Sequence, residues 1–535
     1  MPAEIPHDAD VLIVGMGPTG VALAGLLGQA GVRTAVFDKL PDLYPLPRAA
    51  AIDHEAMRIA QQLGLADRLR PHVTPYRASE YRGVDGQVIK RLDSPPPPHR
   101  SGWDPMLAFD QPAFEHLLRD RVRALPAVTA SLDCEVTSFG QDEGSVWAAV
   151  RPIGSAATTR VSGRYLVACD GGASPTREAL GITMTDLGFH ENWLVVDAVI
   201  DDDDALQRLP SSQVQYCDPR RPATYVSLVG RRRRWEIMLD AGELPVGAVA
   251  VEDVWPWLQQ WITPGEARIL RSAAYMFHAL VADEWRRERI FLAGDAAHMT
   301  PPFMAQGMAQ GMRDAQNLAW KLTAALRAEA AADQLLGTYQ QERRPHVLAT
   351  TMRTIELGRV ICERDEIAAR QRDRDLVGED GEAVPVTYRS TFLPPLAAGP
   401  LVDTASPGAG HILPQPYVTQ GARTCLLDDV AGYGFRLIAT SALTDDERTS
   451  LEHAIAPIGG RVLRIHRAGS ATSAAPTELV ERDDVMNTWL AELGSTIAIA
   501  RPDHYVYATA PTAERALIQL TDLVAAVDGY QHSRA

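Results

Sequence analysis

The sequence predicts an α/β protein in which a dinucleotide-binding unit is interleaved with an antiparallel sheet and followed by a separate C-terminal domain. Three observations carry this. A glycine-rich turn at residues 15–20 lies between a strand and a helix, two later apolar strands each end on an aspartate-bearing turn (Asp170-Gly171 and Gly294-Asp295), and prolines break the chain near residue 400.

The first unit reads as a strand over residues 9–14, the turn Gly15-Met16-Gly17-Pro18-Thr19-Gly20, a helix over 19–30 and a strand over 34–37 that ends on Asp38 and Lys39. Gly15 permits the tight turn, Gly17 lets the backbone approach a pyrophosphate, and Gly20 lets the helix pack closely. The helix N-terminus, opening on Pro18 and Thr19, offers free N–H groups to the anion. Asp38 is placed for ribose hydroxyls.

This unit serves NAD and FAD alike, and the two later turns favour FAD because both suit a long ligand. At the first, Asp170 and Gly171 face ribose or pyrophosphate, with Ser174 and Arg177 opening the next helix. At the second, Gly294 and Asp295 follow the strand 290–292, and the carboxylate can accept hydrogen bonds from the sugar-like chain of a flavin. Beyond it Pro301-Pro302-Phe303 ends the turn, Gly307 and Gly311 loosen it, and a long helix begins at Arg313. Its N-terminus carries roughly half a positive charge, suited to the anionic pyrimidine edge of a reduced flavin.

His298 follows the second turn and offers itself as a base, although a histidine after a buried strand more often only satisfies hydrogen bonds. His54-Glu55 begins a zinc motif, but Arg58 stands where the second histidine is needed, so no metal site is expected.

With 535 residues, 46% apolar, the chain can bury more than one core. Its net charge of −16 (52 basic against 68 acidic residues) disfavours nucleic acid and anionic membranes as partners. No stretch approaches the roughly 18 apolar residues of a membrane span. Five scattered cysteines without a C-x-x-C suit a reducing compartment, and the cytoplasm is the expected location. The run Arg231-Arg232-Arg233-Arg234 after Gly230 is expected to be a solvated hairpin turn.

The order of motifs predicts a discontinuous FAD-binding domain over 1–73, 106–185 and 281–365, with a substrate-binding domain over 74–105 and 186–280. Within the latter, runs at 193–199, 225–229 and 235–239 read as an antiparallel sheet. Ser94 to Pro98 reads as a stiff surface loop. Charges crowd 362–378 and prolines follow at 394, 395 and 400, so 366–400 is expected to be a linker. In the domain 401–535, strands are expected at 434–439, 462–465, 497–500 and 505–508, with helices at 478–493 and 512–527.

The three glycine and aspartate segments resemble the fingerprints of the class A flavoprotein aromatic hydroxylases, the p-hydroxybenzoate hydroxylase type. Further segments are similar to the 3-(3-hydroxyphenyl)propionate hydroxylase branch: residues 44–49, Trp193 to Asp197, Cys217 to Pro222, Thr338 to Arg344, and Arg501-Pro502-Asp503. The resemblance implies an FAD monooxygenase using NADH or NADPH and O₂ to hydroxylate a small phenol, one with an acidic side chain, beside its ring hydroxyl, through a flavin C4a-hydroperoxide. By the same resemblance Arg48 faces and helps move the flavin, Gln111 and Arg119 touch FAD from a neighbouring helix, and Pro302 and His298 join Arg48 as catalytic candidates. The C-terminal domain is by resemblance thioredoxin-like. It has a single cysteine, Cys425, so a packing or assembly role is expected, and a homo-oligomer is left open. Where the family commonly has Gly-Gln-Gly-x-Asn, this chain has Ala305-Gln306-Gly307-Met308-Ala309, which removes one polar side chain from the flavin's surroundings. The alternatives are a hydroxylase of polyketides or other larger aromatics, a flavin-binding sensor, and an NAD dehydrogenase that keeps only the first motif.

Overall fold

The computed structural model describes residues 5–43, 48–327, 332–377, 384, 386–471, 475 and 477–528. Residues 44–47, the first part of the proline-arginine motif, lie outside the described residues, as does part of the 366–400 segment and the end of the chain.

The dinucleotide-binding half is built on a six-stranded sheet in the order Arg286–Arg287, Ile290–Leu292, Tyr165–Ala168, Val11–Val14, Thr34–Asp38, Val128–Leu132, parallel except for the first short strand. The strand Val-Leu-Ile-Val at 11–14 is apolar without alternation because both its faces are covered. Val11 and Ile13 pack under the helices Pro18–Gln29 and Gly307–Arg327, whereas Leu12 packs against Val146, Ala148 and Val150 of a small antiparallel sheet on the other side. Leu23, Phe114, Val167, Phe291 and Leu318 belong to one hydrophobic core.

The second half is a ten-stranded sheet whose two long strands, Met184–Ile200 and Ala267–Ala282, pair antiparallel over most of their length. One face is closed by the helices Asp203–Arg208 and Val251–Leu258 over Leu194, Val196, Tyr225, Trp235 and Ile237. The opposite face turns towards the dinucleotide-binding half.

The 366–400 segment is more than a linker. It forms the helix Glu366–Val377, then the strand Val386–Tyr388, which pairs parallel with Val88–Asp93 and extends the ten-stranded sheet, and then the turn Arg389–Phe392. Crowded charge reads as a linker but here belongs to a half-exposed helix, and a three-residue strand leaves no periodicity to read.

The C-terminal domain carries a seven-stranded mixed sheet with helices on both faces, the thioredoxin-like arrangement. The expected helix at 478–493 is corrected to a strand, Glu478–Glu481, followed by the helix Val485–Glu492. Asp484, at φ 52, breaks the chain between them. The domain is joined to the first half by fully buried ion pairs, Arg58 to Asp428 at 2.9 Å and Arg501 to Glu342 at 2.7 Å. Among the described residues no helix is long and apolar enough to cross a membrane.

Candidate active site

A cavity of about 1260 Å³ runs between the two halves. A single small-molecule site occupies roughly 300–1,000 Å³, so this one has room for a dinucleotide and a second, smaller molecule. Of the residues expected to hold the cofactor, all but Gly20 and Gly294 line it. Those two act from behind: a Cβ on Gly20 would lie 2.0 Å from the Gly15 carbonyl oxygen, and one on Gly294 would lie 2.5 Å from the Thr19 hydroxyl.

The glycine turn has the features an anion needs. The helix Pro18–Gln29 starts at Gly17 with no side-chain cap, so its first N–H groups are left for a ligand. A Cβ on Gly17 would meet nothing of the protein, which leaves open space against the turn. Asp38 accepts from the Met16 N–H at 2.6 Å and from the Leu40 N–H at 2.8 Å, and so shapes the turn it was expected to serve. Arg119 donates to the Met16 carbonyl at 2.9 Å, yet its buried Nε and Nη1 have no hydrogen-bond partner. Burial draws its pKa down. On the next turn, Asp170 takes the Thr176 N–H at 3.1 Å through one oxygen and leaves the other buried and unpaired. Unpaired buried polar groups are costly, and both of these residues line the cavity.

Gln111 reaches the site in a way the sequence did not show. Its side-chain oxygen accepts the N–H groups of Arg48 and Ala49, at 2.7 and 2.6 Å, and so pins the backbone that presents the Arg48 side chain to the cavity. From the other side Arg234 donates to the Arg48 carbonyl at 2.7 Å. Gly230 and Arg231 do form the expected turn, but Arg234, the fourth arginine of the run, is corrected from solvated to 2% exposed. It lies in the strand Arg232–Met238 directly opposite Asp197 and holds that carboxylate with two bonds, at 2.6 and 3.0 Å. Strand alternation turns Arg234 and Glu236 to the cavity and Trp235 to the core. That alternation was the signal that could have found them.

His298 does not line the cavity. It is 1% exposed, stacks on Trp285 at 5.3 Å and bonds through Nε2 to Asp314 at 2.7 Å. Asp314 in turn accepts the Gly294 N–H at 3.0 Å and Arg343 at 2.9 Å. A catalytic base must reach the proton it takes, and here the histidine instead braces the Gly294-Asp295 turn. Pro302, by contrast, opens a short turn on the cavity wall, and Gly307 and Met308 present the N-terminus of the helix Gly307–Arg327 to it. Ala305 sits between them in left-handed backbone, φ 53, where glycine is free of strain and alanine costs about 1 kcal/mol. Ala309 is buried and off the wall.

The fold and this cradle define a flavin-dependent monooxygenase. The chain belongs to the FAD-binding-domain family, whose model matches residues 8–354, and a model described as the HcaD C-terminal domain matches 410–524. It is 37% identical over 526 residues to a probable NADH-specific resorcinol 4-hydroxylase of Rhodococcus jostii (strain RHA1), covering 97% of this chain and 95% of the relative. It is 30% identical over 576 residues to the 3-(3-hydroxy-phenyl)propionate/3-hydroxycinnamic acid hydroxylase of Comamonas testosteroni, covering 95% of each. Among solved structures, the flavin-dependent monooxygenase PieE with FAD and substrate superposes with a TM-score of 0.79 at 22% identity, over 98% of this chain and 99% of that one. Aklavinone-11 hydroxylase with FAD and aklavinone gives 0.74 at 22%, over 97% and 99%. These two share the fold. The enzyme uses FAD with a reduced nicotinamide as electron donor.

Asp295 is exposed to the cavity, and among the described residues its carboxylate makes no hydrogen bond. Replacing it with alanine is expected to weaken FAD retention by about 1–3 kcal/mol, the cost of leaving ligand hydroxyls unpaired. Equilibrium titration of the apoprotein with FAD checks this, and unchanged affinity places Asp295 off the flavin.

Proposed function

We propose that the protein hydroxylates a small phenol at the carbon beside its hydroxyl, drawing electrons from NADH in the cytoplasm: phenol, O₂, NADH and a proton give the ortho-diol, water and NAD⁺. One observation carries this. Phe277, Phe303, Met304 and Phe392 line the cavity and pack against one hydrophobic cluster, an apolar lobe that can hold an aromatic ring beside the flavin edge. The named activities of the relatives, on resorcinol and on hydroxyphenylpropionate, point the same way.

When bound, FAD supplies the chemistry by taking hydride from the nicotinamide and activating O₂ for transfer to the ring. The protein's part is to orient the ring, keep water out and hold the cofactor's polar groups. Gly17, Thr19, Asp38, Arg119 and Asp170 hold the pyrophosphate and ribose side. Asp295, Pro302, Gly307 and Met308 hold the flavin side. Arg48, carried on a backbone pinned from both flanks, is the cation beside the flavin that couples its position to substrate.

A panel of phenols tested for stimulated NADH oxidation and for oxygenated product decides the reading, and stimulation without product, or none with any phenol, overturns it. An accepted phenol is also expected to accelerate flavin reduction. A differential affinity of one or two kcal/mol for the two flavin positions shifts populations roughly 5- to 30-fold. Arg48→Lys keeps the charge but loses the planar fork, so it slows reduction more than it weakens phenol binding. Stopped-flow reduction with and without phenol measures both, and a normal rate in the variant removes Arg48 from the coupling.

A further inference from the structure

We propose that Arg389 is the specificity-determining residue that anchors a carboxylate on the substrate's side chain. This rests on the reading of the enzyme as a phenol hydroxylase and names which phenols it prefers.

Arg389 comes from the segment that looked like a linker and lies on the cavity wall, 9% exposed. Its Nη2 donates to the Ser79 hydroxyl at 2.8 Å and to the Arg77 carbonyl at 3.1 Å, and its guanidinium lies 5.0 Å from the Tyr76 ring. These contacts orient it without neutralising it. Its Nη1 is buried with no hydrogen-bond partner, and among the described residues no carboxylate lies within ion-pair distance of it. Arg234, on the same wall, differs: it holds Asp197 at 2.6 Å. A buried cation without a counter-ion is expensive, and here that cation lies on the cavity wall.

A carboxylate matches what is left. A guanidinium is a permanent cation, and the charge-assisted bonds its remaining N–H groups can give a carboxylate are the strong ones. Phe392, one turn further along the same segment, belongs to the apolar lobe that receives the ring, so anchor and ring slot are held by one short piece of chain. The cavity floor adds direction. Tyr81, Gln215, Thr224 and Glu236 lie in register on four adjacent strands, and Ser79, which holds Arg389, shares its strand with Tyr81. Three strand spacings, about 14 Å, separate that strand from the one bearing Glu236. The Glu236 carboxylate makes no hydrogen bond among the described residues. At that far end Glu236 lies 3.9 Å from Arg234, so the uncompensated cation of this floor is Arg389, and an anionic tail is drawn to it.

The test uses the FAD-loaded enzyme and two ligands that differ only in the tail, 3-(3-hydroxyphenyl)propionate and the neutral 3-(3-hydroxyphenyl)propan-1-ol, titrated by the change in flavin absorbance and compared by KM in NADH oxidation. The wild type is expected to bind the acid about 10- to 100-fold more tightly than the alcohol. Arg389→Met removes that preference by weakening the acid alone, and Arg389→Lys, which keeps the charge and loses the fork, retains part of it. The inference is overturned if the wild type binds acid and alcohol equally, if Arg389→Met keeps the preference, or if it weakens both ligands alike, which assigns Arg389 to the phenol end. Should the Met variant not retain FAD, the Lys variant decides: an undiminished preference in it overturns the fork. Hydroxylation of resorcinol or other neutral phenols with no preference for the acid leaves the phenol hydroxylase standing and removes only the anchor, whereas no turnover of any phenol removes both.

Discussion

Replacing Asp197 with alanine is expected to destabilise the protein by about 3–5 kcal/mol, because it leaves Arg234 buried without its partner. Arg234 is 2% exposed and spends two bonds on Asp197, and Arg271 leans on the same carboxylate at 3.6 Å. Chemical denaturation gives the loss directly. The same substitution carries a second readout, since Arg234 also holds the Arg48 carbonyl at 2.7 Å. Once Arg234 loses its anchor, the acceleration of flavin reduction by phenol should fall in whatever fraction remains folded. Asp197→Asn, which keeps one acceptor oxygen, should lose less on both counts. An alanine variant of wild-type stability shows that the pair is dispensable. One that is unstable but fully responsive to phenol separates the pair from Arg48.

Glu342→Ala should have a comparable effect at the other end of the molecule. Glu342, in the helix Ala332–Cys362, accepts from Lys321 at 2.7 Å, from Arg501 of the C-terminal domain at 2.7 and 3.0 Å, and from Asn317 at 2.8 Å. Without it Lys321 is left buried with no carboxylate partner and Arg501 keeps only Asp503, at a cost of about 3–5 kcal/mol. Burial opposes the charge on Glu342, but Arg501 and then Lys321 overcome it and hold the pKa at about 2, against 4.5 for a free glutamate. The amine of Lys321 moves the opposite way for its type, to about 8, because burial and the like charge of Arg501 outweigh the carboxylate. For Glu342 the folded form binds its proton less readily than the unfolded form. Its contribution, about 3 kcal/mol, is therefore complete above pH 4.5 and lost as the pH falls towards 2. Unfolding followed across that window should show a loss in the wild type that is largely missing from Glu342→Ala. Parallel curves would place the acid sensitivity elsewhere.

The FAD half was legible because its chemistry is local. A turn that must admit a pyrophosphate needs glycine at Gly17, and a strand covered on both faces needs an apolar run such as Val11 to Val14, so position along the chain is enough to find them. Arg234 was not legible in the same way. A run of four arginines looks solvated, and only the register of its strand against Asp197 shows that one of the four is inside. His298 misled in the opposite direction, since its place after the Gly294-Asp295 turn suggested chemistry, whereas its ring looks away from the cavity to Asp314. Arg389 could not be read at all: the strand that delivers it is three residues long and pairs with residues 88–93, some three hundred positions away.

The path of that segment sets where the molecule can be cut. Leu393 lines the cavity, and Leu396 is already packed with Val402 and Tyr505 of the C-terminal domain. Three residues span at most about 11 Å, so the substrate site ends and the appended domain begins within that reach, with Pro394 and Pro395 between them. Exchange of the C-terminal domain between related enzymes therefore has its seam at this proline pair. A junction placed earlier, at the charged helix where the chain looks like a connector, would carry Arg389 and Phe392 away with the graft and transplant part of the specificity along with the domain.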